Sequence, residues 1–245
     1  MTHKKAAIIL AAGKGKRMKS DLPKVLHTIA GKPLITHLLE TMTGMDFDKI
    51  VVVVGHKGEL VIETVGDFGV EFVWQEEQLG TGHAVLMAKE NFDDYDGHII
   101  VAAGDVPFLS AASIDRLFAT HIENSVAATC LSAEFDNPTG YGRIIRKPET
   151  DILLDIIEEK DADEAVKKIT EINSGTFCFD SRSLFSILHE VGNDNAQKEH
   201  YLTDTIKLLS AAGKTCAVVR AVDPLEVKGI NSAEELAALE KAIKN

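Results

Sequence analysis

Apolar positions along the chain alternate between two kinds of pattern. Residues 6–11 (AAIILA), 49–56 (KIVVVVGH) and 98–105 (HIIVAAGD) are nearly unbroken apolar runs. Runs of this length suit strands covered on both faces, as in a parallel sheet flanked by helices. VEFVWQ (70–75) alternates and reads as a further strand. Between these runs the period lengthens. Leu34, Ile35, Leu38, Leu39 and Met42 recur at helical spacing, with Pro33 in the first turn, and predict a helix over 33–45. Helices are also predicted over 82–90 and 110–121, the latter with Ser110 as N-cap.

From about residue 126 the rhythm changes. VAATCLSAEF (126–135), GRIIR (142–146), ILLDIIEE (152–159) and NSGTFCFD (173–180) read as strands with shorter connections, which implies mixed or antiparallel additions. Helices return over 181–191 and 201–212, followed by a strand CAVVRAV (216–222) and a last helix over 233–244. No repeat, low-complexity segment or linker interrupts the chain. The expected fold is α/β and Rossmann-like: one domain of two lobes, built on a mainly parallel mixed sheet with helices on both faces.

A length of 245 residues allows a sizeable core. The net charge of −12 argues against nucleic-acid binding through a global basic field. Against that sign, Lys14, Lys16, Arg17, Lys19 and Lys24 form a local cationic cluster directly after the first apolar run. Three scattered cysteines, Cys130, Cys178 and Cys216, show no metal spacing and suggest buried, reduced thiols in a cytoplasmic protein. The basic start MTHKK and the short apolar run after it fit a buried first strand better than a secretory signal. No run approaches the roughly 18 apolar residues of a membrane span.

Four segments carry candidate chemistry, and all fall where ligands bind in open parallel sheets, beyond the carboxyl ends of strands. The first is LAAGKGKRM (10–18). Its glycines are not spaced as in a Walker loop, and Met18 stands where a dinucleotide fingerprint needs its third glycine. Gly13 and Gly15 still allow backbone N–H groups to face an anion, with Arg17 and Lys24 adding charge. The second is QEEQLGTGHA (75–84), where Gln75 offers a donor and an acceptor to a base edge and Gly80-Thr81-Gly82 opens a helix. His83 reads as a first-turn helix residue. The third is AAGDVP (102–107), which sets Asp105 at a strand end, a position suited to Mg²⁺ and equally to a turn-forming Asp. The fourth is dispersed: Gly142, Glu158, Asn173 and Asn231 lie near predicted strand ends, where each also suits a turn, a cap or a solvated surface.

Taken together, LAAGKGKRM, LPKVLH, QLGTGHA, GDVP, PTGYGRI, EEKDA, INSG, YLTD and VKGIN, in this order from residue 10 to about 231, resemble the sugar-1-phosphate nucleotidylyltransferases. Within that family the uridylyltransferase domains are the nearest in pattern. The resemblance implies an Mg²⁺-dependent enzyme joining UTP to N-acetylglucosamine-1-phosphate, with release of pyrophosphate. By position, Leu10, Ala11, Ala12 and Gly13 would line the nucleotide, Arg17 and Lys24 would act on the phosphates, and Gln75, Gly80 and Thr81 would read the uracil. Asp105 and Asn231 would hold Mg²⁺, and Gly142, Glu158 and Asn173 would contact the sugar. The nucleotide lobe would cover about 1–125 and the sugar lobe about 126–231. Ala103 departs from the aromatic residue common before the Gly-Asp pair. Bifunctional members continue into an acetyltransferase β-helix; this chain ends after the helix over 233–244, so acetyl transfer is not expected. Rival readings are transfer from UTP, dTTP or GTP to glucose- or mannose-1-phosphate, and a non-catalytic nucleotide-sugar sensor.

Overall fold

A computed structural model describes residues 3–243. The chain opens with β1 (Lys5–Ala11), followed by the two-residue strands β2 (Thr28–Ile29) and β3 (Lys32–Pro33), which pair in a hairpin of their own. Then come α1 (Leu34–Thr43), β4 (Lys49–Val54), α2 (Gly58–Val65), β5 (Glu71–Trp74), α3 (Thr81–Met87), β6 (His98–Ala103) and α4 (Ala111–Glu123). The later half adds β7 (Ala128–Glu134), β8 (Arg143–Arg146), β9 (Ile152–Ile157), β10 (Glu171–Asp180), α5 (Ser181–Ile187), α6 (Asp204–Ala211), β11 (Cys216–Arg220) and α7 (Ala233–Ile243). The helix expected over 233–244 thus runs to Ile243, and Lys244 lies outside the described residues.

Nine strands form one sheet in the order β5-β4-β1-β6-β10-β7-β11-β9-β8. β5, β4, β1 and β6 are parallel, as their unbroken apolar runs predict. β10 then enters antiparallel between β6 and β7, while β7 and β11 pair in parallel. β8 and β9 add antiparallel, and β8 also touches the start of β10 at Ile172 and Arg143. The pairings β10-β7-β11-β9-β8-β10 therefore close into a ring.

Alternation along the central strands feeds two cores. Ala6, Ile8, Val51, Val53, Ile99 and Val101 pack on one face with residues of α3, α5 and α6. Ala7, Ile9, Val52, Val54, Ile100 and Ala102 pack on the other with α1, α2 and α4. Each residue of the first group is fully buried, which is why these strands read as continuous apolar runs. A smaller cluster docks Leu239 of α7 on Met18, Ile29, Leu34 and Ile230. Cys130, Cys178 and Cys216 are buried and free, in line with the packing role expected of them.

Most helix bounds agree with the pattern, and Ser110 caps α4 by accepting from the Ser113 N–H at 3.1 Å. Four points need adjustment. The helix expected over 181–191 is α5, which ends at Ile187 and continues as a 3-10 turn, Leu188–Glu190. The helix expected over 82–90 is α3, which ends at Met87 and continues as a 3-10 turn, Lys89–Phe92. The one expected over 201–212 starts only at Asp204. α2 was not expected from the pattern at all.

His121 on α4 is 1% exposed, and its Nδ1 lies 3.0 Å from Thr129 Oγ1. Burial, helped by the neighbouring His98 and opposed by Asp180, lowers its pKa to about 4. An unfolded histidine titrates near 6.5. Between these values the unfolded chain binds the extra proton, so stability is present above about pH 6.5 and is lost as pH falls toward 4. The loss attributable to this residue is about 3 kcal/mol. Urea unfolding of wild type and His121→Gln across pH 7 to 4 should show a shallower decline in the variant. Parallel declines would remove His121 as the cause.

Candidate active site

The carboxyl ends of β1, β5 and β6 open onto a cleft of about 670 Å³. It is lined by Leu10, Ala11, Ala12 and Gly13 from the end of β1, by Arg17 and Lys24 from the basic loop, by Gln75, Gly80 and Thr81, and by Asp105. Ten of the fourteen residues singled out in the sequence therefore meet in one cavity. Gly142, Glu158, Asn173 and Asn231 are not among its lining residues; Asn231 reaches the lining by its hydrogen bond with Lys24, while Glu158 bonds Thr203 and Asn173 bonds Gly142.

The basic loop is shaped by its backbone. Gly15 has φ +59°, and a Cβ there would come within 2.7 Å of Lys24 Cβ, so only glycine lets the loop fold back on Lys24. Met18 N–H closes the turn on Gly15 O at 2.8 Å, and buried Met18 pins it to the α7 cluster. The exposed Arg17 side chain is thereby held at the cleft. The side chain of Lys16 is outside those described.

Lys24 joins the third and fourth segments. Its ammonium donates to Asp105 Oδ2 in a close ion pair and to Asn231 Oδ1 at 3.1 Å. Asp105 is held in turn by its backbone, whose carbonyl accepts from Ile230 N–H at 3.1 Å, and Asn231 N–H donates to Glu235 of α7 at 2.7 Å. An acid after β6 and an amide 126 residues later thus aim oxygens at a single cation.

Two oxygens converging on one positive group are a donor set that also fits Mg²⁺. That ion takes one or two protein carboxylates and completes its shell with water and phosphate. No group of three or more His, Cys, Asp or Glu side chains suited to a metal occurs among the described residues. A metal in this cleft would therefore depend on Asp105, Asn231 and the ligand's own oxygens.

At the other end, Gln75 is 3% exposed and donates from Nε2 to Gly80 O and to His83 Nδ1, both at 3.0 Å. Gly80 has φ +119°, and a Cβ there would fall 2.5 Å from the His200 carbonyl oxygen. Close approach lets two chain segments zip together. His200 N–H donates to Leu79 O at 2.7 Å, Gly82 N–H to His200 O at 2.8 Å, and Leu202 N–H to Thr81 Oγ1 at 2.9 Å. Thr81 does not cap α3; its hydroxyl serves this zipper instead.

Next in the chain, Thr203 donates to Glu158 Oε1 at 3.1 Å. Gly142 lies against Glu158, where a Cβ would sit 3.3 Å from both carboxylate oxygens. Asn173 N–H donates to Gly142 O at 2.8 Å. Asn173 Oδ1 accepts from Gly175 N–H at 2.8 Å and from the Cys130 thiol at 3.3 Å, which leaves Nδ2 as its donor. Burial raises the Glu158 carboxyl above its ordinary value, and the Thr203 hydroxyl pulls it partly back. Residues 200–203 thus strap the cleft to the Gly142–Glu158–Asn173 group. Thr203, Lys160, Gln197, Glu199 and His83 were not picked out as site residues. All but His83 are common surface types, and only the tertiary contact reveals them.

A fold of this topology with a glycine-rich cationic loop, an acid after β6 and a buried amide after β5 is that of a nucleotidyltransferase class. The chain matches the family profile described as MobA-like NTP transferase domain over residues 7–174 and belongs to that family. Its relatives include the bifunctional protein GlmU of Streptococcus agalactiae serotype III (strain NEM316), 45% identical over 98% of this chain and 52% of that protein. GlmU of Lactococcus lactis subsp. lactis (strain IL1403) is 47% identical, again over 98% of this chain and 52% of that protein. The chain spans about half the length of these relatives. The resemblance to sugar-1-phosphate nucleotidylyltransferases drawn from its motifs is borne out. In fold it is similar to a UDP-glucose pyrophosphorylase complexed with UDP-glucose (TM-score 0.77, 18% identity, 98% of each chain). It is likewise similar to the inositol-1-phosphate CTP transferase from T. maritima (TM-score 0.73, 16% identity, 99% of this chain and 96% of that one).

Because Gly80 is both left-handed and pressed on His200, Gly80→Ala should destabilise the protein by about 2 kcal/mol in urea unfolding. A change within about 0.5 kcal/mol, the scatter of ordinary surface substitutions, would mean that the zipper does not constrain this position.

Proposed function

We propose that the chain transfers UMP from UTP to N-acetylglucosamine-1-phosphate, giving UDP-N-acetylglucosamine and pyrophosphate. The observation that carries the reading is the meeting of Lys24, Asp105 and Asn231 beside the Arg17 loop, in a cleft whose other end holds Gln75 and Gly80. The 45% identity to GlmU proteins supports the choice of substrates.

Both reactants are polyanions. Two unit charges about 4 Å apart repel by roughly 4 kcal/mol at an effective dielectric of 20. A phosphate monoester is already an anionic nucleophile at neutral pH, so the site needs positioning and positive charge more than a base. An oxygen of the sugar phosphate attacks the α-phosphorus in line. A new P–O bond forms, the bond to the β-phosphate oxygen breaks, and pyrophosphate leaves with that electron pair. Arg17 and Lys24 stabilise the negative charge gathering on the leaving group. When bound to Asp105 and Asn231, Mg²⁺ would supply further charge neutralisation between the reacting phosphates.

The part through β6 is assigned to the nucleotide, with Leu10 to Gly13 along its length and Gln75, Gly80 and Thr81 at the uracil. The ring-closed part is assigned to the sugar. There Glu158 accepts from sugar hydroxyls, Asn173 Nδ2 donates, and Gly142 leaves room. Ala103 lines the same cleft and bears on which sugar is accepted.

Pyrophosphate release, measured with four nucleoside triphosphates and with glucose-, mannose- and N-acetylglucosamine-1-phosphate, should peak with UTP and N-acetylglucosamine-1-phosphate and require Mg²⁺. Lys24→Ala should lower kcat by at least about 100-fold while circular dichroism is unchanged. Release with no combination of substrates, or near-wild-type turnover of Lys24→Ala, would contradict the proposal.

A further inference from the structure

The base end of the cleft contains a device that the nucleotidyl-transfer reading leaves unexplained. Gln75 follows β5, and its buried side chain forms part of the cleft lining. A glutamine amide offers two hydrogens on Nε2 and lone pairs on Oε1. Both hydrogens are taken, one by Gly80 O and one by His83 Nδ1. The atom left to Gln75 for a ligand is Oε1, an acceptor. Gly80 also lines the cleft, and its N–H makes no hydrogen bond among the described residues. The base end therefore presents one acceptor and one donor.

An imidazole nitrogen accepts a hydrogen bond only when it carries no proton. The Gln75 contact thus specifies neutral His83 with its hydrogen on Nε2. The surroundings agree. Burial and His200, whose ring centroid lies 6.5 Å away, lower the His83 pKa, while Glu77 opposes them. Gly80 O is an acceptor whatever the tautomer of His83, so a flipped amide would set Oε1 against its lone pairs; with Nε2 so placed, the contact at 3.0 Å requires His83 Nδ1 to accept. Uracil and thymine present an N3–H donor beside an O4 acceptor. Cytosine presents an unprotonated N3 beside an amino group, the reverse pattern.

We infer that His83 is a positioning residue that locks the Gln75 amide with its oxygen toward the cleft, and so selects pyrimidines bearing N3–H against cytosine. This rests on the nucleotide-binding half of the proposed function. A role confined to folding would weaken all nucleotides alike; amide locking changes the ratio between them.

The test compares wild type, His83→Ala and His83→Asn, whose side-chain oxygen can still accept. Pyrophosphate release gives kcat/KM for UTP, dTTP and CTP, and calorimetry gives the affinity for UTP and CTP without turnover. In His83→Ala the UTP-to-CTP ratio should fall roughly tenfold by both readouts, the size of one lost hydrogen bond. The loss should lie mainly in KM for UTP. The UTP-to-dTTP ratio and the KM for sugar phosphate should stay put, and His83→Asn should retain most of the discrimination. An unchanged UTP-to-CTP ratio in His83→Ala overturns the inference, as does equal loss for all nucleotides, or wild type binding UTP and CTP alike. If His83→Ala does not fold, His83→Asn decides: wild-type discrimination supports the lock, and abolished discrimination in a folded protein refutes it. Binding that favours UTP without any pyrophosphate release would sink the transfer reading and leave the base-selection inference standing.

Discussion

Under the proposed function one electrostatic constraint organises the site: a chain of net charge −12 would have to bring two anions together. Its local answer is the Lys24 ammonium held between Asp105 and Asn231, with Arg17 close by. None of these groups is useful alone. Without the acid and the amide, Lys24 would be a mobile surface cation, and without Lys24 the two oxygens would face each other uncompensated. Their mutual arrangement fixes where positive charge resides, and the rest of the cleft is laid out around that point.

The topology explains how residues 24, 105 and 231 come together. β1 and β6 are neighbours in the parallel part, so the loop after one faces the loop after the other. Gly104 N–H donates to Leu10 O at 2.9 Å and extends this pairing past the strand ends. Asn231 arrives from the far end of the chain just ahead of α7, which is packed on Met18 of the basic loop. The strap at residues 200–203 performs the same task for the other half, since Thr81 and Glu158 bond to adjacent stretches of it. Movement of that strap would affect Thr81 and the Glu158 group together.

Much of this was legible in the sequence because it is written in local signals. The runs that became β1, β4 and β6 are apolar on both faces, and those of β1 and β6 end at residues that line the cleft. Ser110 announced α4 by its capping position. α2 escaped because its buried positions are few, Gly58, Val61 and Val65, and Leu60 is exposed. It is also rich in β-branched residues, its N-cap Lys57 makes no side-chain bond, and GELVIETV carries little helical propensity of its own. Tertiary packing supplies what propensity lacks. The His83 contact with Gln75 and the Thr203 contact with Glu158 were hidden for a different reason. They depend on rotamers and on strand order, which no spacing along the chain encodes.

The most direct test of the electrostatic account is a crystal structure with UDP-N-acetylglucosamine and Mg²⁺. The account predicts the diphosphate within hydrogen-bonding distance of Arg17 and Lys24, the metal on Asp105 and Asn231, and the sugar at Glu158 and Asn173. A diphosphate seated away from Lys24 and Asp105, with the protein otherwise unchanged, would contradict it.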